Sequence, residues 1–288
     1  MPWLAGGVIA AVFVAGGWLW ATRGRGNGDA FQPISRLSTS DYHSLAFSPA
    51  EPETVYFGYH GGLLVSRDGG HTWQSAALQN ADAMALALPV SDPKTIYAAG
   101  HDVFVKSVDG GDTWQPVAHN LPGTDVHGFA VDPENENHVF THVVGAGIYA
   151  SQDGGLTWEA LSTSVPPSVV NLVVSRTAQT LYAAAGQAGL WRSTDGGQTW
   201  TQLPGVPGQG ILALAYHAQS QRLFITTLGD SGGLYTADDD GATWTALGPE
   251  NTFLAVAVSP LDPEHILLVD EQGRVYASRD GGQTWPST

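Results

Sequence analysis

Three short segments of the sequence place a carboxylate two residues before an imidazole or a thioether: Asp41-Tyr42-His43, Asp82-Ala83-Met84 and Asp125-Val126-His127. Two further histidines follow the first two segments at the same distance. Imidazole is the commonest transition-metal ligand and thioether sulfur favours copper, while carboxylates either bind the metal or orient the imidazoles. The pattern predicts a metal site, with copper as the first choice and zinc as the second. The candidate ligands are His43, Met84, His127, His60, His101, Asp41, Asp82 and Asp125.

The same residues admit two other interpretations. In the first, they satisfy hydrogen bonds of loops, Met84 fills a core, and the carboxylates cap turns. In the second, they are catalytic. Asp41, Asp82 and Asp125 would then serve as the carboxylates of a glycoside hydrolase, or the histidines would support metal-assisted hydrolysis. The sequence contains neither a His-Glu-x-x-His nor a Cys-x-x-Cys pattern.

A second repeat indicates which elements position these candidates. The pattern Ser-x-Asp-x-Gly-x-Thr-Trp occurs six times, and its aspartates lie 41, 44, 42, 44 and 41 residues apart. One strand-rich unit in each such period is typical of a β-propeller blade. The copies occupy residues 66–73, 107–114, 151–158, 193–200, 237–244 (where alanine replaces serine) and 278–285.

Each copy of the repeat predicts a tight turn. Its aspartate accepts hydrogen bonds from backbone N–H groups and its glycines permit positive φ. In the first copy we expect Thr72 and Trp73 to begin the outgoing strand, with the tryptophan packed between neighbouring units.

Four strands are predicted in each unit, and in the first unit they span residues 43–48, 54–59, 63–66 and 72–76. The last unit lacks an outer strand. The segment Phe31-Gln32-Pro33-Ile34 resembles Trp114-Gln115-Pro116-Val117, which occupies the outer-strand position of the second unit. We therefore expect the N-terminal segment to close the ring. The predicted fold is all-β, a six-bladed propeller of four-stranded blades.

This repeat resembles the Asp-box, or BNR repeat, of sialidases, sortilin-type receptors and photosystem II assembly factors. Over its full length, and on residues 100–104 and 119–129 in particular, the chain is similar to bacterial membrane-anchored proteins loosely labelled glycosyl hydrolase or sialidase-like. The resemblance implies a β-propeller whose boxes lie at the periphery, away from the ligand face. Sialidase chemistry is not expected, because the Arg-Ile-Pro motif that carries the first substrate-clamping arginine of sialidases does not occur.

The composition constrains partners and location. A formal net charge of −16 argues against binding to nucleic acid, which requires a basic surface. Residues 3–21 are uncharged and mostly apolar, and as a helix they would span about 28 Å, close to the thickness of a bilayer core. We predict a transmembrane anchor at 1–22, a flexible linker at 23–30 and the propeller at 31–288. A cleaved signal peptide is the alternative for the first segment.

Two signals disagree about the orientation of the protein in the membrane. Arg23 and Arg25 follow the apolar segment, and the positive-inside rule would place them in the cytoplasm. The family resemblance favours a propeller outside the cytoplasm, and we predict a single-pass membrane protein with that orientation. The predicted function is a membrane-tethered binding or assembly module with a protein partner. A glycan or small-molecule ligand, and a hydrolase that uses the same residues, remain alternatives.

Overall fold

The computed structural model describes residues 31–39, 41–237 and 241–286. The predicted transmembrane anchor (1–22) and linker (23–30) lie outside these residues. Within the described ranges, no helix is long and apolar enough to cross a bilayer. This part of the chain is built from β-strands joined by turns and loops, so the predicted all-β class is confirmed.

The strands form six antiparallel four-stranded sheets, which are the blades of the predicted propeller. The first strand, β1 (Ser35–Arg36), belongs to the last blade. Blade 1 contains β2 (Ser44–Phe47), β3 (Val55–Tyr59), β4 (Gly62–Ser66) and β5 (Gln74–Gln79). Blade 2 contains β6 (Ala85–Ala87), β7 (Ile96–Gly100), β8 (Val103–Ser107) and β9 (Gln115–Pro116). Blade 3 contains β10 (Val126–Asp132), β11 (Asn135–Val143), β12 (Gly147–Ser151) and β13 (Glu159–Ser162).

The other three blades repeat this order. Blade 4 contains β14 (Asn171–Val174), β15 (Leu181–Ala184), β16 (Leu190–Ser193) and β17 (Thr201–Gln202). Blade 5 contains β18 (Gly210–His217), β19 (Arg222–Leu228), β20 (Gly233–Ala237) and β21 (Thr245–Leu247). Blade 6 contains β22 (Phe253–Val258), β23 (Ile266–Asp270) and β24 (Arg274–Ser278), and it takes β1 as its outer strand.

Ring closure uses the N-terminal segment, as predicted. The Ile34 N–H donates to the carbonyl oxygen of Val275 at 2.8 Å. The equivalent hydrogen bond of blade 2 runs from the Val117 N–H to the carbonyl oxygen of Phe104 at 3.0 Å. The two segments therefore occupy the same position in their blades. The regular ladder of the closing strand is formed by the two residues of β1, which follow Ile34 directly.

Apolar side chains of neighbouring blades share their cores. One cluster joins Phe104 of blade 2 to Phe129 and Trp158 of blade 3. Another joins Phe140 of blade 3 to Trp200 of blade 4. Aromatic side chains bury large areas, and Trp158 lies edge-on to rings of both blades, with centroid distances of 6.0 Å to Phe104 and 6.1 Å to Phe129. The prediction that tryptophans of the repeat pack between blades is confirmed for these two.

Hydrogen bonds within the boxes occupy both oxygens of their aspartates. Asp109 Oδ1 accepts the Ser107 hydroxyl at 2.7 Å and the Thr113 N–H at 2.9 Å, and its Oδ2 accepts the Thr113 hydroxyl at 2.5 Å. The bonds from Thr113 hold the pKa of Asp109 at about 2. The same bonds are made by Asp68, Asp153, Asp195 and Asp280. Asp239, in the fifth box, lies outside the described residues. The five described boxes therefore stabilise turns.

The outer strand of blade 1 begins later than predicted. β5 starts at Gln74 rather than at Thr72. The Thr72 N–H and hydroxyl are both bonded to Asp68, and the Trp73 indole N–H donates to the carbonyl oxygen of Gly70 at 3.0 Å. These bonds keep Thr72 and Trp73 in the turn, so the prediction that they open the strand was wrong.

The box and the candidate site lie at opposite ends of a blade. In blade 1, β4 begins at Gly62, two residues after His60, and ends at Ser66, the first residue of the box. The strand therefore runs from the rim that carries His60 to the rim that carries the box. This placement agrees with the expectation that the boxes lie away from the ligand face.

Candidate metal-binding site

The candidate ligands are brought together by the ends of strands in blades 1–3. Each Asp-x-His or Asp-x-Met segment leads into the first strand of its blade, which is β2, β6 or β10. His60 and His101 directly follow the second strands of blades 1 and 2, which are β3 and β7. The first and second strands are antiparallel, so the start of one lies beside the end of the other. The candidates therefore share one rim of the ring.

Two glycines allow the chain around Asp82 to approach its neighbours closely. A Cβ at Gly100, the last residue of β7, would lie only 2.0 Å from the carbonyl oxygen of Asp82. A Cβ at Gly58, in the preceding blade, would lie 2.2 Å from the carbonyl oxygen of Ala83. The segment that carries Asp82 is thus packed against the backbone of both blades. Sequence reasoning did not identify these glycines, because nothing in the repeat marks them.

Replacing Gly100 with alanine is expected to lower the free energy of unfolding by about 2 kcal/mol, since forcing an extra methyl group into a packed site costs about 1–3 kcal/mol. Urea denaturation measures the loss. Gly123→Ala is the matched control, because its nearest contact would be a side-chain methyl group of Val143 at 3.3 Å, which can move. Equal losses in the two variants would show that close packing at Gly100 is not the cause.

Imidazoles and carboxylates alternate along the rim, starting in blade 1. His43 Nε2 lies 3.4 Å from Asp41 Oδ1 and 3.1 Å from His60 Nδ1. Asp41 Oδ2 lies 3.0 Å from His60 Nδ1, and Asp41 Oδ1 accepts the backbone N–H of His60 at 2.9 Å. The carboxylate of Asp41 therefore fixes both the backbone and the ring of His60.

The alternation continues through blades 2 and 3. Asp82 Oδ2 lies 3.7 Å from His60 Nε2 and 2.5 Å from His101 Nδ1. Asp125 Oδ1 lies 3.1 Å from His101 Nε2 and 2.9 Å from His127 Nε2. We call the resulting set the His–Asp row. In order along the rim, its members are His43, Asp41, His60, Asp82, His101, Asp125 and His127.

The middle imidazoles of the row face solvent and the outer ones are more shielded. The side chains of His60 and His101 are 48% and 45% exposed, whereas those of His43 and His127 are 21% and 26% exposed. Burial is the largest influence that lowers the pKa of His43 and His127, and a neighbouring imidazole lowers each pKa further. Both rings are therefore neutral near pH 7, and the neutral ring is the form that binds a metal.

The row contains three overlapping sets of metal-ligand atoms. In each set, two imidazole nitrogens and one carboxylate oxygen lie within 4.8 Å of one another. The sets are Asp41, His43 and His60; His60, Asp82 and His101; and His101, Asp125 and His127. Two histidines and one carboxylate form a donor set that zinc and other divalent transition metals accept.

Met84, the remaining predicted ligand, shares a cavity with two members of the row. It lines the central channel, a cavity of about 230 Å³, together with His43 and His127. Behind the row, His142 is 1% exposed, and burial with the neighbouring His127 lowers its pKa to about 4. His119 packs its ring against Phe104. The structure thus brings seven of the eight predicted ligands together in one row of contacts and places Met84 in the wall of the channel that His43 and His127 also line.

Six four-stranded blades form a closed ring, and the box motif recurs from blade to blade. Together these features define the protein as an Asp-box β-propeller. The family model of the photosynthesis system II assembly factor YCF48 matches residues 35–173, and that of sortilin, neurotensin receptor 3, matches residues 188–288. The first match includes the whole His–Asp row. No curated protein matches the sequence.

Solved structures share the fold at low sequence identity. A GH74 enzyme of Niastella koreensis is 22% identical with a TM-score of 0.64, and the alignment covers 89% of this chain and 46% of that enzyme. YCF48 bound to a D1 peptide is 19% identical with a TM-score of 0.57, covering 88% of this chain and 84% of that one. A chain of a nidogen/laminin complex is 16% identical with a TM-score of 0.66, covering 81% and 91%. The present chain spans about half the length of the GH74 enzymes that it resembles.

Proposed function

We propose that this protein is a membrane-tethered binding or assembly module, with its propeller outside the cytoplasm, and that its His–Asp row holds a divalent transition metal. The observation that carries the proposal is the row itself. Four imidazoles and three carboxylates from three blades lie in continuous contact at one rim, with neighbouring ligand atoms 2.5–3.7 Å apart.

The donor set selects the metal. Two imidazole nitrogens and one carboxylate oxygen suit zinc or copper(II), and three protein ligands leave a position open in a tetrahedral site. Cu(I) would be favoured only if the thioether of Met84 were also a ligand, since thioether sulfur favours that ion. We therefore place zinc beside copper as the metal to test. The open position can take a donor atom from a partner, because His60 and His101 are about half exposed to solvent.

A metal-binding function accounts for the surroundings of the three aspartates better than glycoside hydrolysis does. A glycosidase needs one carboxyl group that keeps a proton to donate, which apolar surroundings provide. Asp41, Asp82 and Asp125 each lie within 3.1 Å of an imidazole nitrogen instead. The resemblance to GH74 enzymes concerns the fold and half of their length. Metal-assisted hydrolysis is the second candidate, because a metal with an open position can also activate water.

A protein is the partner that the proposal favours. Two of the chains with a similar fold have proteins or peptides bound: YCF48 with a D1 peptide and the chain in the nidogen/laminin complex. An acidic chain with a net charge of −16 is poorly suited to nucleic acid. The membrane attachment and the orientation of the propeller can be tested by protease accessibility in intact cells, where an extracytoplasmic propeller is cleaved without lysis.

The metal itself is tested on the full-length protein purified in detergent, stripped and reloaded with Zn²⁺ or Cu²⁺. The wild type is expected to retain stoichiometric metal after desalting, measured by mass spectrometry of the elements. The double variant His43→Ala/His127→Ala removes a ligand from each end of the row and is expected to bind at least about 100-fold more weakly, a larger effect than the 10–100-fold loss from altering a residue that only orients a ligand.

Three controls separate the interpretations. His71→Ala removes an exposed histidine within the box of blade 1, at the rim opposite the row, and is expected to leave metal binding unchanged. Met84→Leu is expected to leave zinc binding unchanged, whereas a selective loss of Cu(I) would assign the thioether as a ligand. A wild-type protein that retains neither metal would refute the proposal. Hydrolysis of a glycoside or ester panel that disappears in the double variant would favour the hydrolase.

A further inference from the structure

We infer that the His–Asp row is a two-metal site, with one ion at each end and Asp82 between them as a shared positioning carboxylate. The inference rests on the proposed function and specifies it further. It follows from the distances between ligand atoms, from the two nitrogens of each imidazole, and from the surroundings of Asp82.

The two outer sets have the spacing that a tetrahedral metal requires. We call Asp41, His43 and His60 the blade 1 set, and His101, Asp125 and His127 the blade 3 set. Bonds of about 2.0 Å at tetrahedral angles hold two ligand atoms about 3.3 Å apart. In the blade 3 set, the separations are 2.9 Å, 3.1 Å and 3.4 Å among Asp125 Oδ1, His101 Nε2 and His127 Nε2. In the blade 1 set, His43 Nε2 lies 3.4 Å from Asp41 Oδ1 and 3.1 Å from His60 Nδ1.

The middle set is less suitable for an ion. Asp82 Oδ2 is 2.5 Å from His101 Nδ1, which is a hydrogen-bonding distance, and 3.7 Å from His60 Nε2. The residue that corresponds to His43 and His127 in this blade is Met84, so the middle set has no imidazole of its own on the first strand. Both facts favour a hydrogen-bonded carboxylate at the centre of the row.

The nitrogens of the two middle imidazoles match this assignment. A neutral imidazole has one nitrogen that donates a hydrogen bond and one that accepts a hydrogen bond or binds a metal. His60 directs Nδ1 to the blade 1 set and Nε2 towards Asp82. His101 directs Nε2 to the blade 3 set and Nδ1 to Asp82. With an ion in each outer set, both remaining N–H groups point to the same carboxylate, the arrangement that orients metal-binding histidines in proteins.

The environment of Asp82 supports its central role. Its side chain is only 13% exposed, and its Oδ1 is buried without a hydrogen-bond donor among the residues that the structure describes. A shielded carboxylate needs compensating positive charge or donors. Both imidazoles face its other oxygen, Oδ2: His101 Nδ1 lies 2.5 Å away and donates to it, whereas His60 Nε2 lies 3.7 Å away, so an ion on His60 would have to bring that ring closer to complete the second hydrogen bond. Asp82 would thereby stabilise both ions without binding either one.

The test is a zinc titration of the full-length, metal-stripped protein by calorimetry, with elemental analysis for the stoichiometry. The wild type is expected to bind two ions. His43→Ala and His127→Ala are each expected to leave one ion. Asp82→Asn is expected to keep both ions but to weaken each about 10–100-fold, the usual effect of altering a residue that orients a metal-binding histidine. His71→Ala is the control and is expected to bind two ions with unchanged affinity.

A measurement of stability separates the loss of histidine orientation in Asp82→Asn from a general destabilisation of the fold. The thermal midpoint of metal-free Asp82→Asn is expected to remain within a few degrees of the wild type, so that a loss of affinity reports on the metal sites. Spectra of the protein loaded with copper(II) are expected to show two ions that are not strongly coupled to each other. One ion per chain, two ions strongly coupled through one imidazolate, or unchanged affinity in Asp82→Asn would each overturn the inference. All three of these outcomes would leave the proposed function intact, whereas a chain that binds no ion would refute both.

Discussion

Acidification from neutral pH to about pH 4 is expected to remove about 3 kcal/mol of the free energy of unfolding through His265 alone. This histidine is 1% exposed and packs its ring against Phe47 at a centroid distance of 4.6 Å. Burial, with a smaller contribution from Arg279, lowers its pKa from 6.5 to about 4. A difference of one pKa unit corresponds to about 1.4 kcal/mol, so a shift of this size gives the expected loss.

The direction of the effect follows from where the proton binds. Between about pH 6.5 and pH 4, the unfolded chain takes up a proton at His265 and the folded chain does not. Falling pH therefore favours unfolding across this interval, and the stabilisation is complete above it. Urea denaturation at a series of pH values measures the slope. His265→Phe and His265→Gln remove the titrating ring and differ in packing, so both are expected to flatten the profile by the same amount. A wild-type slope in either variant would contradict the assignment.

Replacing Phe31 with alanine is expected to cost about 3 kcal/mol, since Phe-to-Ala changes in cores cost about 3–5 kcal/mol and this ring is partly exposed. Phe31 stacks on Tyr276 at a centroid distance of 4.1 Å and meets Trp285 and Phe253 edge-on at 5.7 Å and 6.2 Å. These contacts hold the N-terminal segment against the last blade. Thermal unfolding monitored by tryptophan fluorescence measures the loss.

The effect of Phe31→Ala should be localised to ring closure. Hydrogen exchange is expected to increase first in β1 and β24, because these paired strands depend on the anchored segment. Phe31→Leu keeps most of the apolar contact and serves as the matched control, with a cost of about 1 kcal/mol. A propeller whose stability is the same with alanine as with phenylalanine would show that the closing segment is held by its backbone bonds alone.

The fold was predictable because its signals are local and repeated. Each of the five boxes that the structure describes contains the residues that its turn requires, such as Ser107, Asp109 and Thr113, whose bonds lie within seven residues of chain. Repetition at a fixed interval then specifies the blades and their number. The same repetition identified the closing segment, since Ile34 and Val117 occupy equivalent positions and make equivalent hydrogen bonds. The start of the outer strand of blade 1 was predicted two residues too early, because hydrogen bonds of the turn extend through Thr72 and Trp73.

For the candidate site, the sequence determined which residues share the rim, and the tertiary structure decided how they are paired. Equivalent positions in successive blades follow from the repeat, so His43, His60, His101 and His127 could be placed on one rim of the ring. Whether an imidazole of one blade reaches a carboxylate of the next depends on the distance between blades. That distance is set by packing that the repeat does not encode, such as the close approach of Ala83 to Gly58. The alternating order of the row, and the position of Asp82 between two imidazoles from different blades, therefore emerged only from the folded ring.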